Sequence, residues 1–124
     1  MIYEQITMMG DSEFEMVELL RKLNLTRPVA LTLACLSNVD EITSRDIEMA
    51  SGLRQPEVSI AMRHLNKYNW VDIREEKKSE GKGRPIKLYK LVVPLENVIK
   101  TIEDEIMAEN KTILENIQRL KSFV

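Results

Sequence analysis

The sequence is poor in the residues that most often carry catalytic chemistry. Among its 124 residues there are one cysteine and one histidine. A single cysteine excludes a disulfide within the chain and a cysteine-cluster zinc site. A histidine-based metal site or a Ser/His/Asp triad would depend on His64 alone, and nothing in the pattern orients it as a base. We therefore predict no enzyme activity, no metal site and no cofactor.

His64 and Cys35 each have an ordinary structural explanation. His64 follows Arg63 in a predicted helix, where it either contacts a phosphate or lies on the surface of the domain. Cys35 lies in an apolar segment, where a lone cysteine usually packs as a small core residue. A redox-sensor role for Cys35 stays open, although the thiol of such a sensor is normally exposed.

The sequence also lacks a long apolar segment. No run approaches the roughly 20 residues that a membrane-spanning helix needs, so we expect no membrane partner. The N-terminal stretch MIYEQITMMGDSEFE is acidic and lacks the basic and then apolar pattern of a signal peptide. We expect a cytoplasmic protein of one domain, with room for an appended element.

The charge is unevenly distributed along the chain. The formal net charge is −2, which by itself argues against a nucleic-acid partner. Residues 54–90, however, hold ten Lys/Arg and five Asp/Glu, a net charge of +5, whereas the remainder carries −7. A basic module on an acidic body is the electrostatic pattern of a nucleic-acid-binding protein. A solvated charged surface would give the same count, so the charge needs support from the helix pattern.

Residues 47–71, IEMASGLRQPEVSIAMRHLNKYNWV, carry the pattern of two helices joined by a tight turn. Gly52 can take the left-handed conformation that ends a helix. In the second helix, Val58, Met62 and Leu65 recur at the i, i+4, i+7 spacing of one buried stripe. The other face is predicted to project side chains suited to bases and phosphates. These are Gln55, Ser59, Ile60, Arg63 and Lys67.

The rest of the pattern completes a mainly α fold with a small β-hairpin. Helices are predicted at residues 13–23, 28–37, from 43 or 44 to 51, at 55–69 and from 94 to the end, with strands at 71–75 and 86–91. Ser12 with Glu15 predicts a capping box, and Thr26 is the predicted N-cap of the next helix. Gln55 is predicted to cap the 55–69 helix, with Pro56 at the first helical position.

These patterns also predict which apolar residues are buried. The first helix is predicted to bury Phe14, Val17 and Leu20, and the apolar 28–37 helix is predicted to be the central one of the domain. In the second strand, Ile86 and Leu88 oppose Tyr89 and Leu91, so the alternation leaves open which face is buried.

The segment between the two strands, EKKSEGKGRP, is basic and rich in turn residues. Its glycines and proline preclude a helix, so a β-hairpin with a long basic tip is predicted. The basic side chains suit a phosphate backbone or the insertion of an arginine into a narrow minor groove. They are Lys77, Lys78, Lys82, Arg84 and Lys87. The alternative is a solvated hairpin without a partner.

These motifs resemble the helix-turn-helix and wing of winged-helix transcription regulators, especially the MarR-like and TrmB-like families of archaea and bacteria. The resemblance covers roughly residues 28–91 and is specific to the fold more than to the target. Gly83-Arg84-Pro85 looks like the wing tip common among TrmB-like proteins. Asn69 stands where the families usually have glycine, which is a mild departure because asparagine tolerates the same backbone. The resemblance implies a wing that contacts DNA.

Beyond Pro94 the pattern predicts one long helix of about thirty residues, roughly 45 Å in length. Its apolar residues form a heptad-like seam: Ile99, Ile102, Ile106, Ile113 and Leu120. Either this helix folds back on its own core, or it pairs with a second copy as a coiled coil. We favour a homodimer, because winged-helix regulators usually pair to read a two-fold operator. Residues 1–93 would then be the DNA-binding domain and residues 94–124 the dimerisation element.

The sequence thus predicts a homodimeric, sequence-specific transcription regulator that binds double-stranded DNA. The alternative is a winged-helix protein-docking module of a transcription or other multiprotein assembly, without an operator of its own. Such a module would replace the polar helix face and the basic wing with an apolar patch. A nucleic-acid enzyme would need a metal-binding carboxylate cluster, which the pattern does not offer. A small-molecule effector would have to bind between the dimerising helices and the DNA module.

Overall fold

The structure is a computed structural model that describes residues 9–77 and 85–124. The chain divides into two compact units, one that ends at Val93 and one that comprises Pro94–Val124. The first unit contains helices α1 (Asp11–Lys22), α2 (Arg27–Ser37), α3 (Ser44–Ser51) and α4 (Gln55–Asn66), and strands β1 (Ile42–Thr43), β2 (Val71–Glu76) and β3 (Ile86–Leu91). The second unit is one helix, α5 (Leu95–Lys121). The predicted fold class, a winged helix-turn-helix with a long C-terminal helix, is confirmed.

Helix α2 forms the centre of the first unit, as predicted. Its residues 29–36 are all buried, and α1, α3 and α4 pack on it. Thr26 is the N-cap and Pro28 lies in the first turn, where its missing N–H leaves no hydrogen bond unmade. A helix that is apolar on every side is stable only when neighbours cover every side.

Helix α1 begins earlier than the sequence predicted. Gly10 is the N-cap, and its N–H donates to Glu13 Oε1 at 2.7 Å, so the predicted pairing of Ser12 with Glu15 is wrong. Val17 and Leu20 are buried as predicted, whereas Phe14 is 53% exposed and its predicted burial is wrong. Each step of three residues falls about 60° short of a full turn, so Phe14 lies well off the face that Leu20 defines.

The three strands form an antiparallel sheet in the order β1-β3-β2. β1, at the end of a predicted loop, was missed because two residues are too few to show an alternating period. It pairs Ile42 with Tyr89, while β2 pairs Val71 with Leu91. Ile42, Val71 and Tyr89 are buried, so the sheet face that carries Tyr89 is the core face. The strand β2 also runs one residue further than predicted.

Helix α5 starts after Pro94, at the predicted break, and runs for 27 residues. Val98 and Ile102 are its buried residues, and every residue from Met107 onward is exposed. In the described part of the chain, no helix combines the length and the apolar character needed to cross a membrane.

Candidate nucleic-acid interface

The turn between α3 and α4 has the geometry that the sequence predicted. Gly52 adopts a left-handed conformation with φ of 77°, and its N–H donates to the carbonyl of Glu48 at 2.8 Å. At the other end of α3, Thr43 is the N-cap, and its Oγ1 accepts from the N–H of Asp46 at 3.1 Å. These local hydrogen bonds define the two ends of α3. The next helix, α4, begins three residues after Gly52.

Helix α4 is capped one residue earlier than predicted. Arg54 is the N-cap, and its N–H donates to Glu57 Oε1 at 2.9 Å. The prediction of Gln55 as N-cap is therefore wrong, since Glu57, three residues after Arg54, supplies the capping carboxylate. The helix ends at Asn66, not at Asn69. The Gln55 side chain has no capping role and is available on the helix surface.

The two faces of α4 separate as predicted. Val58, Ala61, Met62 and Leu65 are buried. The opposite side carries residues that follow one another at four-residue steps, and each step advances about 40° around the helix. We call this set the recognition stripe: Gln55, Ser59, Arg63 and Lys67.

Members of the recognition stripe differ in exposure and in contacts. Gln55, Arg63 and Lys67 are exposed, whereas Ser59 is half-buried. Gln55 Nε2 donates to Ser59 Oγ at 3.0 Å. Ile60 lies beside the stripe and is 59% exposed, which is a large exposure for an isoleucine in the middle of a helix. The stripe therefore offers amide, hydroxyl and cationic groups in order, next to one apolar side chain.

An aromatic stack joins the end of α4 to the start of β2. The rings of Tyr68 and Trp70 are stacked, with centroids 4.2 Å apart, and His64 lies 5.9 Å from the Tyr68 ring. Trp70 is buried. Its backbone N–H donates to the carbonyl of Leu65, and its backbone carbonyl accepts from the N–H of Val92. Asn69 between the two aromatics adopts a φ of 60°. This stack was not predicted from the sequence, although two aromatic residues that flank one asparagine, YNW, are a signal for it.

The predicted basic residues of the wing fall into two groups. Lys77 and Lys87 are exposed, whereas Lys78, Lys82 and Arg84 lie outside the described residues. We call the strands β2 and β3 the wing stem. In the stem, Lys87 lies directly opposite Glu75, and Lys90 lies opposite Asp72. The stem therefore balances its own charge, and the excess positive charge of the wing belongs to the segment between the strands.

A third basic residue of the stem, Arg74, is engaged by two carboxylates. Its Nε and Nη2 donate to Oε2 and Oε1 of Glu41 at 2.6 and 2.8 Å, and its Nη1 donates to Glu76 at 3.1 Å. The hydrogen bonds from Arg74 lower the pKa of Glu41, and the same bonds raise the pKa of Arg74. This ion pair was not predicted, because no local sequence pattern relates residues that are 33 positions apart.

In the described residues, neither the histidine nor the cysteine forms part of a catalytic arrangement. No group of three or more His, Cys, Asp or Glu side chains is placed to hold a metal ion within residues 9–77 and 85–124. Cys35 is buried, and burial raises the pKa of its thiol to about 11. A thiol with that pKa stays protonated at neutral pH, which is unlike the exposed thiolate of a redox sensor.

The residues predicted for dimerisation differ in exposure within the single chain. Ile102 is buried and Ile106 is half-buried. Ile99, Ile113 and Leu120 are 51%, 47% and 67% exposed. Leu114 and Ile117 are also exposed, so the apolar face of α5 continues to the end of the helix.

Solved structures that share the fold include the following two. TrmBL2, an archaeal chromatin protein whose structure shows a novel mode of DNA binding, superposes with a TM-score of 0.63 at 23% identity over 90% of this chain. A possible transcriptional regulator from Methanosarcina mazei Go1 superposes with a TM-score of 0.57 at 17% identity. This superposition covers 81% of this chain and 87% of the chain of the possible regulator. This chain corresponds to 40% of the length of TrmBL2.

No protein-family model matches the sequence, and no curated protein matches it. At identities below 25% the structural likeness shows the fold alone. It shows a winged helix like that of TrmBL2, whereas the TrmB-like and MarR-like family resemblances stay predictions.

Proposed function

We propose that this chain is a sequence-specific double-stranded DNA-binding protein that acts as a transcription regulator. In this proposal α4 enters the major groove, and the wing contacts the flanking backbone or the minor groove. The observation that carries the proposal is the recognition stripe, whose opposite helix face is buried in the core. Groups that can read base edges stand at its N-terminal end, and the cations Arg63 and Lys67 follow.

The dimensions and chemistry of α4 support this placement. Twelve residues give a helix of about 18 Å, and the major groove is about 12 Å wide and admits one α-helix. Ile60 would meet the methyl group of a thymine, which is the apolar feature of that groove. The likeness to a DNA-binding chromatin protein and to a possible transcriptional regulator agrees with this function.

We further propose that the protein acts as a homodimer through α5. Beyond Met107 the helix is exposed on every side, yet it carries the apolar residues Ile113, Ile117 and Leu120 on one face. Helices gain most of their stability from packing an apolar face, so this face requires a partner. A second copy is the partner we propose, because the heptad-like spacing suits a coiled coil and a pair of recognition helices reads a two-fold operator.

Ile102 takes no part in the proposed dimer seam, since it is already buried within one chain. The seam is therefore assigned to the exposed residues of the C-terminal half of α5. The alternative function, a protein-docking module, would present an apolar patch in place of the recognition stripe. Within α4, Ile60 is the one large apolar residue that is exposed, which favours DNA.

Selection of bound sequences from a library of random duplex DNA tests the proposed function. We expect an enriched inverted repeat, because each protomer reads one half-site. Arg63→Ala is expected to cost about 1–3 kcal/mol on the selected duplex if Arg63 reads guanine. Lys67→Ala is expected to weaken selected and unselected duplexes alike.

The matched control is Lys111→Ala, which removes an exposed lysine from α5. It should leave the affinity for the selected duplex unchanged. Failure of the intact chain to enrich any sequence would reject operator binding and favour the docking module.

A further inference from the structure

The side chains of Gln55 and Ser59 are joined by a hydrogen bond within α4. Gln55 Nε2 donates to Ser59 Oγ at 3.0 Å across one turn of α4. Gln55 is the first residue of the helix, where the side chains of a recognition helix come nearest to base edges. The capping carboxylate comes from Glu57, so the Gln55 amide is not drawn back to the helix terminus. The pair therefore places an amide and a hydroxyl side by side at the N-terminal end of the recognition stripe.

The hydrogen bond leaves a defined set of free groups. A glutamine amide has two N–H donors and one carbonyl acceptor, and a serine hydroxyl has one donor and two acceptor positions. Ser59 takes one N–H of Gln55. One N–H donor and the Oε1 acceptor of the same amide remain. The free edge of Gln55 is therefore one donor beside one acceptor.

This edge matches one base more closely than the others in the major groove. Adenine presents the N7 acceptor beside the N6 donor, which a glutamine amide can bind with two hydrogen bonds. Guanine presents two acceptors and cytosine a single donor, while thymine presents an acceptor and a methyl group. A second donor on Gln55 could serve guanine, but Ser59 already uses it.

The hydrogen bond from Gln55 to Ser59, which we call the brace, also lowers the entropic cost of binding DNA. A free glutamine side chain loses rotamer freedom when it is fixed on a base. Here the hydrogen bond to the Ser59 hydroxyl restricts the Gln55 side chain from within the protein itself, so less entropy remains to be lost on binding. Ser59 itself is half-buried, which gives the brace a more rigid base than an exposed side chain would.

We infer that Gln55, held by Ser59, is a specificity-determining residue that reads adenine in the major groove of the operator. This inference rests on the proposed function and adds to it the identity of one base pair. It assigns Ser59 the role of a positioning residue, since Ser59 acts on the base through Gln55.

The test compares the sequences selected from a random duplex library by the intact chain and by its variants. The intact chain is expected to select an A·T pair at one position of each half-site. Gln55→Ala should lose the preference at that position alone and bind the wild-type duplex about fivefold to a hundredfold more weakly. Gln55→Glu should shift the preference toward cytosine, because a carboxylate accepts from cytosine N4. The control Gln118→Ala removes an exposed glutamine of α5 and should change nothing.

Two further measurements separate the role of Ser59 and the chemistry of the contact. Ser59→Ala should lower affinity severalfold and relax the preference from adenine toward guanine, because it removes the hydrogen bond that holds Gln55 and frees the second N–H donor of its amide. Replacing the selected adenine by 7-deazaadenine removes the N7 acceptor, and it should weaken the intact chain but not Gln55→Ala.

The outcomes distinguish this inference from the proposed function. An enriched motif that is identical for the intact chain and for Gln55→Ala would overturn the role of Gln55 and leave operator binding intact. Equal affinity of the intact chain for the duplex with adenine and the duplex with 7-deazaadenine would also overturn the role of Gln55. If the intact chain enriches no motif at all, the proposed function fails and the inference fails with it.

Discussion

Arg74 reaches across the middle strand of the sheet to Glu41, and the two side chains share two hydrogen bonds of 2.6 and 2.8 Å. Arg74 belongs to β2, whereas Glu41 directly precedes β1 and the entrance to α3. The pair thus connects the wing to the segment that leads into the helix-turn-helix. It lies on the exposed face of the sheet, where the side chains are 51% and 31% exposed.

The pair makes stability depend on pH in a predictable direction. Hydrogen bonds from Arg74 lower the pKa of Glu41 in the folded chain below its ordinary 4.5. A lowered folded pKa stabilises the protein above the unfolded pKa, and the stabilisation disappears as the pH falls through the folded value. Denaturant unfolding should therefore show Glu41→Gln to be less stable than the intact chain at pH 7, with the gap closing below pH 4.5.

The control for this experiment is Glu109→Gln, at an exposed glutamate of α5 for which no ion pair is found in the described residues. Its stability difference should not follow the same pH dependence. A gap for Glu41→Gln that persists unchanged at low pH would show that the carboxylate charge is not the cause.

Gly52 should be intolerant of a side chain although there is room for one. A Cβ at this position would meet nothing within 4 Å, so the cost comes from the left-handed backbone with φ of 77°. Gly52→Ala is expected to lower the free energy of unfolding by about 1–2 kcal/mol. Asn69→Gly, at a φ of 60°, is the counterpart and should change stability much less. Equal effects of the two substitutions in chemical denaturation would contradict the backbone explanation.

Thr32 offers a stabilising substitution in the core. It is fully buried in α2, and its Oγ1 has no hydrogen-bond partner among the described residues. Thr32→Val keeps the shape and removes the buried hydroxyl, so we expect a gain of about 1 kcal/mol in thermal unfolding experiments. Thr112→Val, where the hydroxyl donates to Ala108 on the surface of α5, is the control and should give no gain. A clear loss of stability in Thr32→Val would mean that the hydroxyl is satisfied.

The wing should contribute to DNA affinity mainly through charge. Lys82→Ala with Arg84→Ala is expected to reduce the slope of log affinity against log salt by about 0.9 for each phosphate that the wing no longer neutralises. Lys87→Ala is the matched variant in the stem, and it should change the slope less because Glu75 lies opposite. The slope is measured by titration of duplex DNA. An unchanged slope in the double variant would show that the wing is a solvated hairpin that does not contact DNA.

The exposed face of α5 should hold the proposed dimer together. Each fully buried isoleucine contributes about 1.5–3 kcal/mol, so Ile113→Asp with Ile117→Asp should convert a dimer to a monomer in sedimentation experiments. Ala108→Asp is the control, since Ala108 is exposed and lies on the side of α5 opposite Ile113 and Ile117. A double variant that sediments as an intact dimer would place the interface elsewhere.

Local periodicity determined much of this protein from the sequence. The central α2, the turn at Gly52 and the two faces of α4 each depend on residues within one or two helical turns. Such features follow from backbone geometry and from the spacing of apolar side chains, which a linear pattern displays. The same patterns predicted the strand β3 with its observed bounds.

Only the tertiary structure decided the remaining features. Only the assembled sheet brings β1 beside Tyr89, Lys87 opposite Glu75 and Arg74 within reach of Glu41. These relationships depend on strand order and pairing register, which residues distant in the chain set together. Even the exposure of Phe14 depended on which part of α1 packs on its neighbour. A periodic pattern states that a face is apolar, but the partner of that face is a property of the assembled fold.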